Sequence, residues 1–306
     1  MNREPESGRA WTYAVAAVAL WSTVASAFKI TLRHADPWQL LFYAALTASL
    51  CLGLMCLPRA RRAAFAALSA RDVSRLGLLG ILNPLAYYLV LFHAYSLLPA
   101  QVAQPLNYTW AITLMLLSAP LLGHRITRSD LAATAVCYAG VVLICSGGRE
   151  FNRAELDPVG VALALGSTLL WSFYWIAKTR DTVEPVVGLF VSFVCGLPFT
   201  LAACVLFSSV WPVPPAGIAG AAYVGLFEMG ITYVLWLGAL RRARSAAHVT
   251  TLIFLSPFLS LVLIHYVVGE AIAVTTIYGL VLVVAGLLLQ HFAPRVRLAR
   301  GSGAQD

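Results

Sequence analysis

Apolar residues fall into ten runs of about 20, near 10-31, 37-57, 75-97, 100-122, 130-147, 158-178, 185-208, 216-240, 246-268 and 272-292, separated by short polar or proline-bearing joints. Each run is long enough for a helix to cross roughly 30 Å of hydrocarbon. A bilayer offers the backbone no hydrogen-bonding partners, so runs of this kind are predicted as helices. The joint at Pro99 divides 75-122 into two spans. The expected fold class is an all-α polytopic membrane protein with ten transmembrane helices.

The runs repeat themselves in order. Ala19-Leu20-Trp21-Ser22, running to Lys29, matches Leu169-Leu170-Trp171-Ser172, running to Lys178, and these are the only two lysines. Gly80, Asn83 and Tyr88 align at one offset with Gly225, Glu228 and Tyr233. A slightly different offset pairs Gly123 with Gly269 and Ala139-Gly140 with Ala285-Gly286. Five spans per copy force the second copy to run upside down relative to the first. The expected organisation is therefore two inverted five-helix repeats, 1-147 and 148-306, the second ending in a cytoplasmic tail. Inverted repeats are a transporter architecture, with the site at their interface.

Composition agrees: 60% of the 306 residues are hydrophobic and 11% charged, too few charges to cover a soluble globule. The net charge of +8 follows the membrane rather than a nucleic acid. Alternate loops hold Arg3, Arg9, Arg59, Arg61, Arg62, Arg71, Arg75, Arg125, Arg128, Arg180, Arg241, Arg242, Arg244, Arg295, Arg297 and Arg300, whereas the other set holds only Arg33, Arg149 and Arg153. The positive-inside rule then puts both termini in the cytoplasm, with the chain in a bacterial-type inner (plasma) membrane. The stretch from 58 to 75, arginine-rich with Phe65, Leu68 and Val73 interleaved, reads either as a strap along the inner surface or as a solvated loop. Cys51, Cys56, Cys137, Cys145, Cys195 and Cys204 all fall in apolar runs and read as small hydrophobes. Ala25-Ser26-Ala27 imitates a cleavage site, but Glu4 and Glu6 balance Arg3 and Arg9, and the segment repeats near 158, so a retained first span is expected.

Trp21-Ser22-Thr23-Val24-Ala25-Ser26-Ala27-Phe28-Lys29 resembles the first-helix signature of the drug/metabolite transporter superfamily, EamA type. Gly269-Glu270, followed by Gly279 and Gly286, is similar to that family's second-repeat ending, and helix count and repeat order extend the resemblance from about 10 to 292. Ser22 and Ser172 depart from the family's frequent Gly, and Gly123-His124 replaces an expected Gly-Glu. The resemblance implies an exporter of small metabolites with no cofactor. The aromatic helix centres are similar to those of members that handle aromatic amino acids and some aromatic cations.

Candidate path residues follow from what a bilayer does not tolerate. Trp11, Trp38 and Trp211 fit the membrane surface, whereas Trp21, Trp110, Trp171, Trp175 and Trp236 lie well inside spans, where an indole N-H needs a partner or a cavity. Trp171, Tyr174, Trp175 and Lys178 share one helical face. Glu228 is the only one of thirteen acidic side chains near a span centre; such a carboxyl is either a neutral structural group or a site that holds an ammonium or a coupling proton. Thr232, Asn83 and Tyr87 are expected beside it. Gln101, Gln104, Asn107, Tyr108 and Thr109 must face protein or water. Pro84, Pro105 and Pro257 read as kinks or as cavity-lining breaks. Lys29, Lys178 and His93 are gate or charge candidates, with snorkelling or packing as the plainer alternatives, and His248 is read in the same way. His265 reads as interfacial.

No phosphate-binding loop, nucleophile with its base, or metal-ligand spacing appears in the sequence, so neither an ATPase nor an intramembrane enzyme is expected. The expected function is export of aromatic and large hydrophobic amino acids by alternating access. Another small metabolite or an amphipathic aromatic cation is the alternative. Proton exchange and facilitated efflux both fit, and the spacing of Gly217 and Ala221 serves packing within one bundle as readily as oligomer formation.

Overall fold

Each apolar run becomes a helix whose ends are marked by residues that satisfy or terminate the backbone ladder. The computed structural model describes residues 7–123, 126–146, 156–178, 181–243 and 252–292. These form α1 (Ser7–Thr31), α2 (Pro37–Met55), α3 (Arg59–Ala66), α4 (Ala70–Leu97), α5 (Ala100–Leu122), α6 (Arg128–Cys145), α7 (Pro158–Lys178), α8 (Pro185–Phe207), α9 (Pro215–Arg242), α10 (Leu252–Val268) and α11 (Val274–Phe292). Among the described residues nine helices are long and apolar enough to span a membrane, and α10 is a shorter apolar helix. The first part of the run expected from 246 lies outside the described residues, as do His124, His248 and the tail from 293.

Capping explains the boundaries. Asp36 with Gln39, Ser69 with Asp72 and Thr127 with Asp130 form reciprocal capping boxes at the starts of α2, α4 and α6. The Ser69 box starts α4 at Ala70, earlier than the apolar pattern indicates. Gly123 and Gly269, paired in the sequence repeat, end α5 and α10 at φ +73° and +82°, a conformation that favours glycine. The stretch after 58 forms the short α3, where Arg61 donates to the Met55 carbonyl at 2.8 Å and Phe65 contacts Phe190.

Two spans break at matching places. In α4 the backbone opens at Asn83 (φ −144°, ψ 112°), just before Pro84, which has no N–H to give. In α9 it breaks around Glu228 and Gly230 (φ −118°, ψ −90°). Pro257 lies in the first turn of the α-helical part of α10, where its missing N–H costs no helix bond.

Helix packing survives exchange of the two halves. α2 packs on α8 and on the first part of α9, while α8 packs on the first part of α4; α1 packs on α9 and α10, while α7 packs on α4 and α5; α6 packs on α11. Glycines set the closest approaches. An added Cβ on Gly80 would lie 2.3 Å from the Ser192 carbonyl oxygen, and one on Gly225 would lie 2.3 Å from that of Ala44.

Contacts at the helix ends define two faces. At one face the end of α1 meets the end of α4 through Lys29, while the loop after α10 meets the start of α5 through Glu270. At the other, the end of α7 meets the starts of α4 and α8 around Asp181 and Glu184. The helices that carry Trp21 and Trp171 therefore run in opposite directions.

Candidate functional site

A central cavity lies where α1, α4, α5, α7, α9 and α10 converge, its walls including Trp21, Phe28, Tyr87, Leu91, Tyr95, Gln104, Asn107, Tyr108, Trp110, Trp171, Trp175, Glu228, Tyr233, Trp236 and Ile253. Its walls and open mouth together enclose about 850 Å³. Its walls come from both halves of the chain.

A connected series of rings forms one wall. Trp236 meets Trp21 at 5.5 Å between centroids, Trp21 meets Tyr233 at 5.9 Å, and Tyr233 meets Trp171 at 6.3 Å. Trp171 then stacks on Tyr87 at 4.5 Å and on Tyr174 at 5.4 Å, with Trp175 at 5.8 Å and Trp110 at 6.5 Å on its edges. Helical spacing places Trp171 and Trp175 on one side of α7, and the break in α4 presents Tyr87 to them.

The Glu228 carboxyl sits in this wall at the break in α9. Tyr88 donates its hydroxyl to Glu228 Oε1 at 3.1 Å. Asn107 accepts from the Tyr87 hydroxyl at 3.4 Å and donates to Ser167 Oγ at 2.9 Å, while the Tyr108 and Ser256 hydroxyls share a bond of 2.7 Å. Two buried atoms of the cavity's lining residues, Gln104 Oε1 and Trp175 Nε1, have no partner.

Of the candidate site residues read from the sequence, Trp21, Tyr87, Asn107, Trp110, Trp171, Trp175 and Glu228 come together on the cavity, joined by Gln104, Tyr108 and Trp236, whereas Asn83, Thr232, His93, Lys29 and Lys178 do not. Asn83 is buried in the α4 break near Tyr174, without a well-aligned hydrogen bond. Thr232 is fully buried and its hydroxyl donates to the Phe227 carbonyl, which the α9 break leaves free. His93 packs edge-on against Trp38, its Nδ1 2.8 Å from the Leu89 carbonyl. Lys29 does not snorkel to water; its Nζ donates to the carbonyls of Tyr95 (2.9 Å) and Leu98 (2.6 Å), acceptors left open where α4 ends. Lys178 pairs with Asp181, which also binds Arg75 at 2.7 Å. Tyr88 and Tyr233, matched by the repeat, were legible as a pair, but Phe28, Leu91 and Tyr95 carry no signal that separates a cavity wall from ordinary packing.

The cavity is closed toward the Lys29 face. Phe28, Leu91, Tyr95 and Gln104, on that side, are buried, whereas Trp21, Trp110, Trp175, Trp236 and Ile253 are half-exposed. A polar seam covers the closed end. Glu270 accepts from the Ala100 and Gln101 N–H groups at 2.8 and 3.1 Å, Gln101 donates to the Ala271 carbonyl and accepts from the Ala273 N–H, and Arg33 donates to the Val268 carbonyl at 2.7 Å.

Relatives place this arrangement among known proteins. The aromatic amino acid exporter YddG of Ancylobacter novellus is 30% identical over 160 residues, 51% of this chain and 55% of that protein. A "probable terminal-alkyne amino-acid exporter" of Streptantibioticus cattleyicolor is 26% identical over 222 residues, 72% of this chain and 73% of that protein. One solved crystal structure, 23% identical, shares the fold with a TM-score of 0.65 over 93% of this chain and 97% of its own. The model of the EamA-like transporter family matches twice, over residues 9–146 and again over 158–290, so the chain belongs to that family.

Proposed function

We propose that this chain exports amino acids with aromatic or large apolar side chains across a bacterial-type inner membrane, working by alternating access as two inverted five-helix halves, 1-147 and 148-306. The observation that carries this reading is the aromatic cavity at the junction of the halves, with a carboxyl in its wall. The substrate ring packs against Trp21, Trp171 and Trp175, and its ammonium group is drawn to Glu228. The exchangeable packing and the opposed directions of α1 and α7 support the inverted arrangement, which lets one half rock against the other around a fixed site. The names of the two relatives support amino acids as the substrate class.

The arginine distribution supports the orientation. Arg59, Arg61, Arg62, Arg71, Arg75, Arg241 and Arg242 belong to the Asp181 face, and Arg33 to the Lys29 face, so the former is taken as cytoplasmic and both termini with it. The half-exposed end of the cavity then faces the cytoplasm, the side from which an exporter loads. No catalytic step, metal or cofactor enters this cycle. The chain's part is to bind, orient and release.

A second reading, amphipathic aromatic cations, is favoured by one observation: among the described lining residues Glu228 is the only ionisable acid, and no Lys, Arg or His faces it to hold a carboxylate. Uptake of radiolabelled phenylalanine, tryptophan, leucine and lysine into reconstituted vesicles, with wild type and Glu228→Gln, separates the readings. Flux of the first three over lysine supports amino-acid export. Absence of any amino-acid flux, with uptake of an aromatic cation that Glu228→Gln abolishes, replaces it with the second reading.

A further inference from the structure

Polar side chains form a ladder down the inward side of α5: Gln101, Gln104, Asn107 and Tyr108, spaced by three, three and one. Three rungs are satisfied within the protein. Gln101 spans the seam to Ala271 and Ala273, Asn107 bridges Tyr87 and Ser167, and Tyr108 pairs with Ser256. Gln104 is the exception. It is 5% exposed, it lines the cavity, and its Oε1 is buried without a partner.

An unpaired buried carbonyl costs about 1–3 kcal/mol, and a bound molecule that donates to it recovers that cost. Glu228 is differently placed, because its carboxyl is already engaged by Tyr88. We propose that Gln104 is a specificity-determining residue whose Oε1 accepts a hydrogen bond from the ligand's N–H, so that the site selects molecules carrying an amino group over equally charged molecules that lack a donor. This rests on the reading of the cavity as the substrate site, and it adds a direction. Gln104 lies at the closed end, with Phe28, Leu91 and Tyr95, so the amino end of the ligand points toward the Lys29 face and the rest toward the mouth. Glu228 supplies attraction to charge, and Gln104 supplies the requirement for a donor.

The test compares phenethylamine with its N,N,N-trimethyl analogue, two aromatic monocations of which only the first donates. Their binding to purified protein is followed by quenching of tryptophan fluorescence. Wild type is expected to prefer phenethylamine, and Gln104→Leu to reduce the ratio of the two dissociation constants about tenfold, as loss of one well-made hydrogen bond requires. Gln104→Glu, which keeps an acceptor at the same position, is expected to restore the preference. Because the oxygen has no partner in the free protein, Gln104→Leu should leave the melting temperature equal or higher, whereas a structural role would lower it. Gln104→Met, unbranched and of similar length, serves if the leucine variant does not fold. An unchanged ratio in the apolar variant, or no binding of either compound to wild type, overturns the proposal. Phenylalanine flux is scored separately: a protein that moves no amino acid but shows the shift keeps this role for Gln104 and loses the amino-acid reading. One that exports amino acids with wild-type binding ratios after Gln104→Leu does the reverse.

Discussion

Tyr88 and Glu228, 140 residues apart and from opposite halves of the chain, meet in a hydrogen bond of 3.1 Å between the hydroxyl and Oε1. Each lies at or just beyond the break in its helix, so the two irregular backbones face one another across the cavity wall. Tyr88 is fully buried, and Tyr88→Phe would keep its packing while withdrawing one donor from the carboxyl. The expected loss is about 1–2 kcal/mol of stability, read as a lower melting temperature in detergent. Glu228→Gln, which retains an acceptor for Tyr88, is expected to melt near wild type even where it loses binding of cations.

Close packing of α6 on α11 predicts an asymmetry between two glycines. A Cβ on Gly140 would lie 2.5 Å from the Gly279 carbonyl oxygen, so Gly140→Ala must push the helices apart and is expected to reduce the yield of monodisperse protein on size exclusion. Gly166 has no atom within 4 Å of such a Cβ. Gly166→Ala should be neutral or stabilise by up to about 1 kcal/mol through reduced backbone freedom.

Trp171 touches five other rings, so its removal breaks the aromatic wall of the cavity at its junction. Trp171→Ala is expected to raise the KM for an aromatic substrate by about tenfold or more, and Trp171→Phe by less, in vesicle uptake. Trp211→Ala, at a position 68% exposed, should leave the KM unchanged.

The two faces are held by different electrostatics. Asp181 is 3% exposed between Arg75 and Lys178, so Asp181→Asn withdraws the anion from Lys178 and leaves Arg75 with a longer ion pair, to Asp72 at 3.4 Å. Because Arg75 is itself about a third exposed, the expected loss is about 2–3 kcal/mol, below that of a fully buried pair, and should appear as a fall in melting temperature. Arg241, 55% exposed and 3.8 Å from Glu184, should matter by less than about 1 kcal/mol when replaced by Ala.

At the opposite face Glu270 caps the start of α5, where the free N–H groups and the helix dipole both favour an anion. Glu270→Ala is expected to lower stability by about 1–2 kcal/mol. Glu270→Gln, which still accepts, should lose less than half of that. A thermal melt of the two variants side by side checks the ordering.

The helices were legible because a bilayer imposes length and apolarity on every span, and the observed boundaries follow the apolar runs within a few residues wherever both are described. The exceptions have local causes: the Ser69 capping box extends α4 at its start, and the tail of an apolar run does not distinguish helix from loop. The matched glycines were legible too, since Gly80 and Gly225 hold equivalent close contacts and Gly123 and Gly269 equivalent turns. Among the candidate site residues, the buried tryptophans and Glu228 stood out because each is costly in hydrocarbon. Thr232 and His93 are equally unusual in a span, but a nearby carbonyl and a packed ring account for them away from the cavity, while Asn83 lies in the α4 break with neither polar side-chain atom partnered.

Sequence alone determined that this chain is a bundle of membrane helices in two similar halves, because hydropathy period, span length and repeat order are one-dimensional properties. Which side of each helix lines the cavity, that Lys29 holds carbonyls instead of reaching water, that Glu270 and Gln101 seal one end, and that Gln104 alone among the polar residues along α5 is left without a partner were decided only by tertiary structure. The physical reason is that hydrogen-bond satisfaction depends on which groups meet across the bundle. Those partners lie 60 to 172 residues apart, beyond the reach of any local pattern.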